Sequence, residues 1–211
     1  MKKTNNAMNL QLFGGWDEVL KDPSQGNSNK TEFTKLQNGV TELRFLDAEP
    51  FVRWAHWIAQ AKRNISCIGA ECPVCDSIKA ARQSGLKPHY SSNRKFAMHV
   101  LNLTTGNVEV LEQGKTFFTQ LHALHEEIGD IRNYNIKVKT QNAGSTDVTY
   151  TLLPCQPTEL SDEQKELCKD LKPFDDIFKK PTKDQVLQLM SGKNPEEVFK
   201  KQSENDEEIE L

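Results

Sequence analysis

Residues 67–75 read CIGAECPVC, three cysteines in nine residues around one proline and one glycine. No other stretch constrains the chain so tightly, because thiols this close must become a redox pair, ionise on a metal or be buried free. A Cys-Pro-x-Cys dithiol is reactive where it opens a helix after a strand, since the helix N-terminus lowers the first thiol's pKa. Here Cys67 stands five residues upstream and no βαβ pattern surrounds the motif, so a third thiol would interfere with dithiol exchange. A zinc deaminase needs His-x-Glu upstream and Pro-Cys-x-x-Cys downstream. The chain has His56-Trp57-Ile58 instead, and Pro73 sits inside the cysteine pair.

A structural zinc site needs four ligands closed as a tetrahedron. Cys67, Cys72 and Cys75 supply three, at spacings of four and two intervening residues. His56, in a strand-like run eleven residues before Cys67, is the first choice for the fourth; His89 is its rival and His99 a weaker one. Cys155 and Cys168 read as ordinary thiols. Five cysteines in all, clustered and odd in number, favour a metal over a disulfide framework in a reducing compartment.

The charge is strongly segregated. Residues 50–108 hold eight basic and two acidic residues, net +6, whereas residues 155–211 hold nine basic and fifteen acidic, net −6. The overall −3 therefore says little about partners, and a basic middle with an acidic end points to a polyanion site plus an acidic tail. Aromatic residues interleave the basic ones: Arg53-Trp54, Trp57, Lys62-Arg63, Lys87, Tyr90 and Arg94-Lys95-Phe96. Single strands are held by bases stacked on such rings and by cations along the phosphates. Trp54 and Trp57 are an odd offset apart, so on a strand they face opposite ways. With His56 turned to the metal, Trp54 shares its inward face, and Trp57 with Arg53 is expected in the exposed groove.

The 211 residues suit one good core with appendages. Residues 1–30 read as leader and linker. From 31 to 154 the pattern is mainly β, with strands expected over 40–47, 49–59, 95–103, 108–113, 133–141 and 147–154. A helix over 117–129 buries Phe117, Leu121, Leu124 and Ile128 and stops at Gly129. This count fits an OB-fold barrel with an inserted zinc subdomain at about 56–90; an SH3-like barrel or small sandwich fits the spacing as well. Residues 155–202 read as a short helical extension, with capping boxes at Ser161/Gln164 and Thr182/Gln185 and an Asn194-Pro195 start. Residues 203–211, SENDEEIEL, hold five acids and no base, as in a disordered tail. No apolar run approaches the roughly eighteen residues of a membrane span. The opening residues lack a signal-peptide core, so a cytoplasmic protein is expected, in a host cell if viral.

The order VTELRFLDAEPFVRWAHWI, CIGAECPVC, RKFAMHVLNL, NYNIKVKT, VTYTLLP resembles the zinc-containing single-stranded-DNA-binding proteins of tailed phages, the family of the T-even phage helix-destabilising protein. The resemblance covers about residues 40–154 and the acidic end. It implies an OB fold with one structural Zn2+ on His56, Cys67, Cys72 and Cys75, and a cleft binding single-stranded DNA in viral replication, recombination and repair. Candidate DNA contacts are Arg53, Trp57, Lys62, Arg63, Lys87, Tyr90, Arg94, Lys95, Phe96, Tyr134 and Lys137. It also implies that tail residues Glu204, Asp206, Glu207, Glu208 and Glu210 recruit replication and recombination proteins. The protein would be no enzyme, and a monomer or weakly self-associating, with cooperativity on DNA left open. A zinc-dependent nucleic-acid hydrolase and a zinc-ribbon transcription module are the alternatives from other classes.

Overall fold

The computed structural model describes residues 31–199; the leader 1–30, with its amphipathic stretch, and the acidic tail 203–211 lie outside the described residues. Six expected strands are present: β1 (Gly39–Phe45), β2 (Phe51–Ile58), β4 (Ser91–Asn102), β5 (Asn107–Gln113), β6 (Tyr134–Gln141) and β7 (Thr149–Pro157). A short β3 (Arg63–Ser66) and helix α1 (Pro73–Gln83) were not expected. Helix α2 (Lys115–Ile128) precedes a 3-10 turn (Ile131–Asn133), and α3 (Asp162–Leu167), α4 (Phe174–Ile177) and α5 (Lys183–Met190) follow β7. Residues 195–199 are again helical. None of the described helices is long and apolar enough to cross a membrane.

The strands form one antiparallel sheet in the order β3-β2-β4-β1-β6-β7, with β5 on β4. β1 pairs with the far end of β4 (Phe45 opposite Val100) and β2 with its near end (Phe51 opposite Ala97 to Trp57 opposite Ser91). No ladder joins β5 to β7 among the described residues, so the expected closed barrel is corrected to an open, mainly β sheet. A side chain spans that gap, the Tyr150 hydroxyl donating to Gln113 Oε1 at 3.2 Å.

The sheet has two faces, set by the two-residue alternation of side chains. On the first, Leu43, Phe45, Met98, Val100, Leu111, Ile136 and Val138 pack under Phe117, Phe118, Leu121 and Leu124 of α2. Gly129, at φ +82°, closes α2 as its sequence predicts, with its N–H on His125 O. A second, smaller cluster holds Ile58, Ala61, Ile65, Cys72, Val74 and Ile78 together with Val186, Leu189 and Val198. Helix α5 thus completes a core begun more than a hundred residues earlier.

The segment after β7 is therefore no loose extension. It runs as a strap across the second face. Buried Arg44 of β1 donates to Asn135 Oδ1 (2.8 Å), Arg132 O (3.1 Å) and Thr158 O (2.8 Å). His99 of β4 donates from Nδ1 to Asp47 (3.0 Å) and from Nε2 to Lys172 O (3.0 Å), with its ring stacked 4.1 Å from Phe174. Phe51 of β2 stacks on Phe174 and Phe178, and Ser66 of β3 donates to Phe178 O at 3.1 Å. Both expected capping boxes are present, at Ser161/Gln164 and Thr182/Gln185, and Asn194 Oδ1 accepts from Glu196 N–H at 3.0 Å. Each satisfies helix donors that have no partner within the helix.

Candidate metal centre and nucleic-acid interface

Hairpin β2–β3 and the start of α1 bring four metal-ligating side chains together. His56 lies in mid-β2 and is fully buried, Cys67 follows β3, Cys72 is the N-cap of α1 and Cys75 sits in its first turn. Pro73 occupies the first helical turn, where its missing N–H costs nothing. The loop between Cys67 and Cys72 needs left-handed backbone at Gly69 (φ +86°) and Glu71 (φ +59°). Glu71 is tied there by Lys183 of α5 at 3.1 Å.

The four donor atoms lie within 4.8 Å of one another and could hold a metal ion. His56 Nε2 is 3.5 Å from Cys72 Sγ and 3.5 Å from Cys75 Sγ, and Cys67 Sγ is 3.6 Å from Cys75 Sγ. Bonds of about 2.0 Å to nitrogen and 2.3 Å to sulfur give tetrahedral edges of about 3.5 and 3.8 Å, close to what is observed. Nδ1 of His56 donates to Ser91 O at 3.2 Å, which fixes the tautomer with Nε2 free for a ligand bond. Gly69 N–H points at Cys67 Sγ from 3.5 Å, placing a donor on an incipient thiolate. Burial pushes the Cys75 thiol up to about 12, helped by its hydrogen bond with Cys67, and burial lowers the His56 pKa despite the Ser91 bond. A neutral imidazole suits a cation, but the thiol proton must be displaced by one. His89 is exposed with its ring edge-on to Tyr90, and His99 belongs to the strap, so His56 completes the set. Cys155 and Cys168 are half-buried away from it.

The motif opens a helix after a strand, but the strands beside it are antiparallel, so no βαβ unit surrounds it, and Cys67 is in contact with Cys75. Around an ion held there, the four side chains would complete a tetrahedron and leave no position for substrate or water.

The expected nucleic-acid residues scatter. Arg53 is corrected from groove to interior: it pairs with Glu112 at 2.7 Å, is 12% exposed, and its guanidinium lies 4.4 Å over Phe178 beneath the strap. Phe96 is half-buried, stacked on Phe118 against the main core. Tyr134 packs on that core and donates to Ile128 O at 3.3 Å, and Tyr90 packs on the metal-side cluster. Lys95 is half-buried opposite Arg53. Lys137 is exposed but lies opposite Glu42 and Leu153 on the strap face. Trp57 is 44% exposed on that face too, and Lys62 in a turn, Arg63 at the start of β3 and Lys87 in the loop after α1 are exposed.

Another set does converge. Trp54 shares the face of His56 as expected, yet it is 51% exposed rather than inside. Directly opposite on β4, Arg94 holds its guanidinium 5.3 Å over the indole. The next same-face residues of β4 lead both ways. Ser92 lines a hollow with Lys79 and Arg82 of α1 beside Cys75. Phe96 lines a groove of ≈ 620 Å3 with Val52, Lys115, Phe118 and His122. From Ser92 to Phe96 is about 14 Å. The α2 core ends at Phe96 and the metal-side core begins at His56, so among the described residues no helix covers the strip between. Lys79, Arg82, Arg94 and Lys115 form no salt bridge among the described residues; Glu49 and Glu126 also line the groove. Trp54 was legible as aromatic next to basic; its exposure was not.

Comparison of the chain with family models, with curated proteins and with solved structures finds no match.

Proposed function

We propose that this is a non-catalytic single-stranded-DNA-binding protein. Its binding strip runs along the open face of β2 and β4, and a structural zinc ion holds one wall in place. The observation that carries the reading is the half-exposed Trp54 under Arg94, flanked on both sides by unpaired cations. A planar ring beside phosphate-tracking charges favours single strands without sequence preference. Three thiolates with one imidazole are the donor set of a structural zinc, and α1, with Lys79 and Arg82, is oriented by that ion. The curled sheet is read as an OB-type framework with this strip as its ligand face.

The acidic residues Glu204 to Glu210 belong to this reading as a docking tail for replication and recombination proteins, in line with the phage family resemblance. Cytoplasmic residence in the host cell follows the same reading.

Titration with oligo-dT and with matched duplex, read by tryptophan quenching, tests it. Trp54→Ala should weaken oligo-dT binding roughly ten- to hundredfold, the loss of one stacked base, and Trp57→Ala much less. Equal affinity for duplex, or equal losses in the two variants, would overturn the assignment of the strip.

A further inference from the structure

A separate cleft of ≈ 500 Å3 lies on the strap face. Phe33 and Thr34 wall one side, β3 another and the strap from Asp176 to Pro181 a third, with Phe199 also in the lining. It shares no lining residue with the strip of Trp54 and Arg94.

Its walls combine rings with uncompensated charge. Phe33 is half-exposed, and Phe178 and Phe199 are half-buried. The Arg63 guanidinium lies 4.9 Å over Phe199, and Lys179 is exposed. Neither cation has a carboxylate partner among the described residues. Arg53, by contrast, is pinned by Glu112 Oε2 and by Ser66 Oγ at 3.1 Å, which makes a rigid floor. An apolar ligand would leave the two cations unused, and a bare anion would leave the rings unused. Planarity, apolar faces and one negative group are all met by a nucleotide.

We propose that this cleft binds a single nucleotide unit, with the base against the phenylalanine rings, the phosphate on Arg63 and Lys179, and the exposed amide of Asn64 available to the base edge. Asp176 on the rim opposes additional negative charge, which favours a monophosphate. The inference rests on the nucleic-acid reading only for the source of that unit, the end of a bound strand or free mononucleotide.

The test is calorimetry on the full, metal-loaded chain with thymidine 5′-monophosphate, with thymidine, and with oligo-dT carrying or lacking a 5′-phosphate. The monophosphate should bind with a dissociation constant on the order of 1 mM, and thymidine roughly tenfold more weakly for want of charge-assisted bonds. Arg63→Ala and Lys179→Ala should each weaken the monophosphate several-fold, Arg63→Lys less, and Trp54→Ala not at all. Unchanged melting temperature and metal content certify that the variants fold. Tighter binding of the 5′-phosphorylated oligonucleotide identifies the strand end as the source, and equal binding identifies the free nucleotide. No heat at about 10 mM monophosphate, or binding lost in Trp54→Ala and kept in Arg63→Ala, overturns the cleft. Oligo-dT failing to bind while the monophosphate still does would remove the strip and leave the cleft.

Discussion

The two hydrophobic clusters of this sheet are held by different means. Under α2, twelve buried residues from four strands, one helix and the 3-10 turn close a core with no polar ligand among them. On the metal side only nine buried residues gather, one of them a ligand, two of them from α5 and one from the helical residues beyond it. The first cluster is stabilised by apolar burial of its own strands and helix. The second has fewer buried residues, and it adds four side chains that could hold a cation and a helix carried across by the strap. Local stability therefore need not be uniform across one sheet.

Chelation should break the comparison most strongly. Structural zinc contributes on the order of 10 kcal/mol to folding small sites. Removing the metal should therefore abolish hydrogen-exchange protection in β2, β3, α1 and α5 while β1, β6 and α2 keep theirs. Uniform loss across both clusters would mean that they fold as one unit. Next in size are matched truncations. Leu121→Ala in α2 and Leu189→Ala in α5 should each cost about 2–5 kcal/mol, yet only the second should speed metal loss to a competing chelator. Equal metal retention in both would detach α5 from the site.

The smallest effect concerns the strap. Burial alone would lower the His99 pKa, but the Asp47 hydrogen bond and charge, with Lys172 O, raise it above the ordinary value. Such a group contributes stability that is present in full below about pH 6.5 and lost as pH rises through the raised folded value. The wild-type melting temperature should accordingly fall more between about pH 6 and about pH 9 than that of His99→Gln. A variant with an unchanged slope would take the clamp out of account.

How far the sequence could be read follows from the same contrast. The strands and helix around the main core repeat every two or 3.6 residues over long runs, and their periodicity placed them within a few residues. β3 has four residues, too few for any period to emerge. Helix α1 carries its signals, Pro73 at the start and Val74 and Ile78 one turn apart, but inside a motif dominated by thiols. The four side chains that could hold a metal were legible because coordination fixes residue type and spacing together. Arg53 and Trp54 exchanged roles for a reason no local pattern contains. Faces alternate along a strand, but what covers each face is decided by distant chain, here the strap over Arg53 and, among the described residues, only the Arg94 side chain over Trp54.

The late arrival of α5 has a consequence for how the chain is made. During synthesis the N-terminal part emerges first, at about 5–20 residues per second. The strands of the main core are all available once β7 has left the ribosome. The metal ligands emerge far earlier, by Cys75, yet the cluster behind them lacks Val186, Leu189 and Val198 until nearly the last described residue has appeared. For that interval the thiols are presented on an unfinished half-domain. On the zinc reading proposed above, the nascent chain must acquire its ion, or be shielded from oxidation, before its own sequence can complete the site.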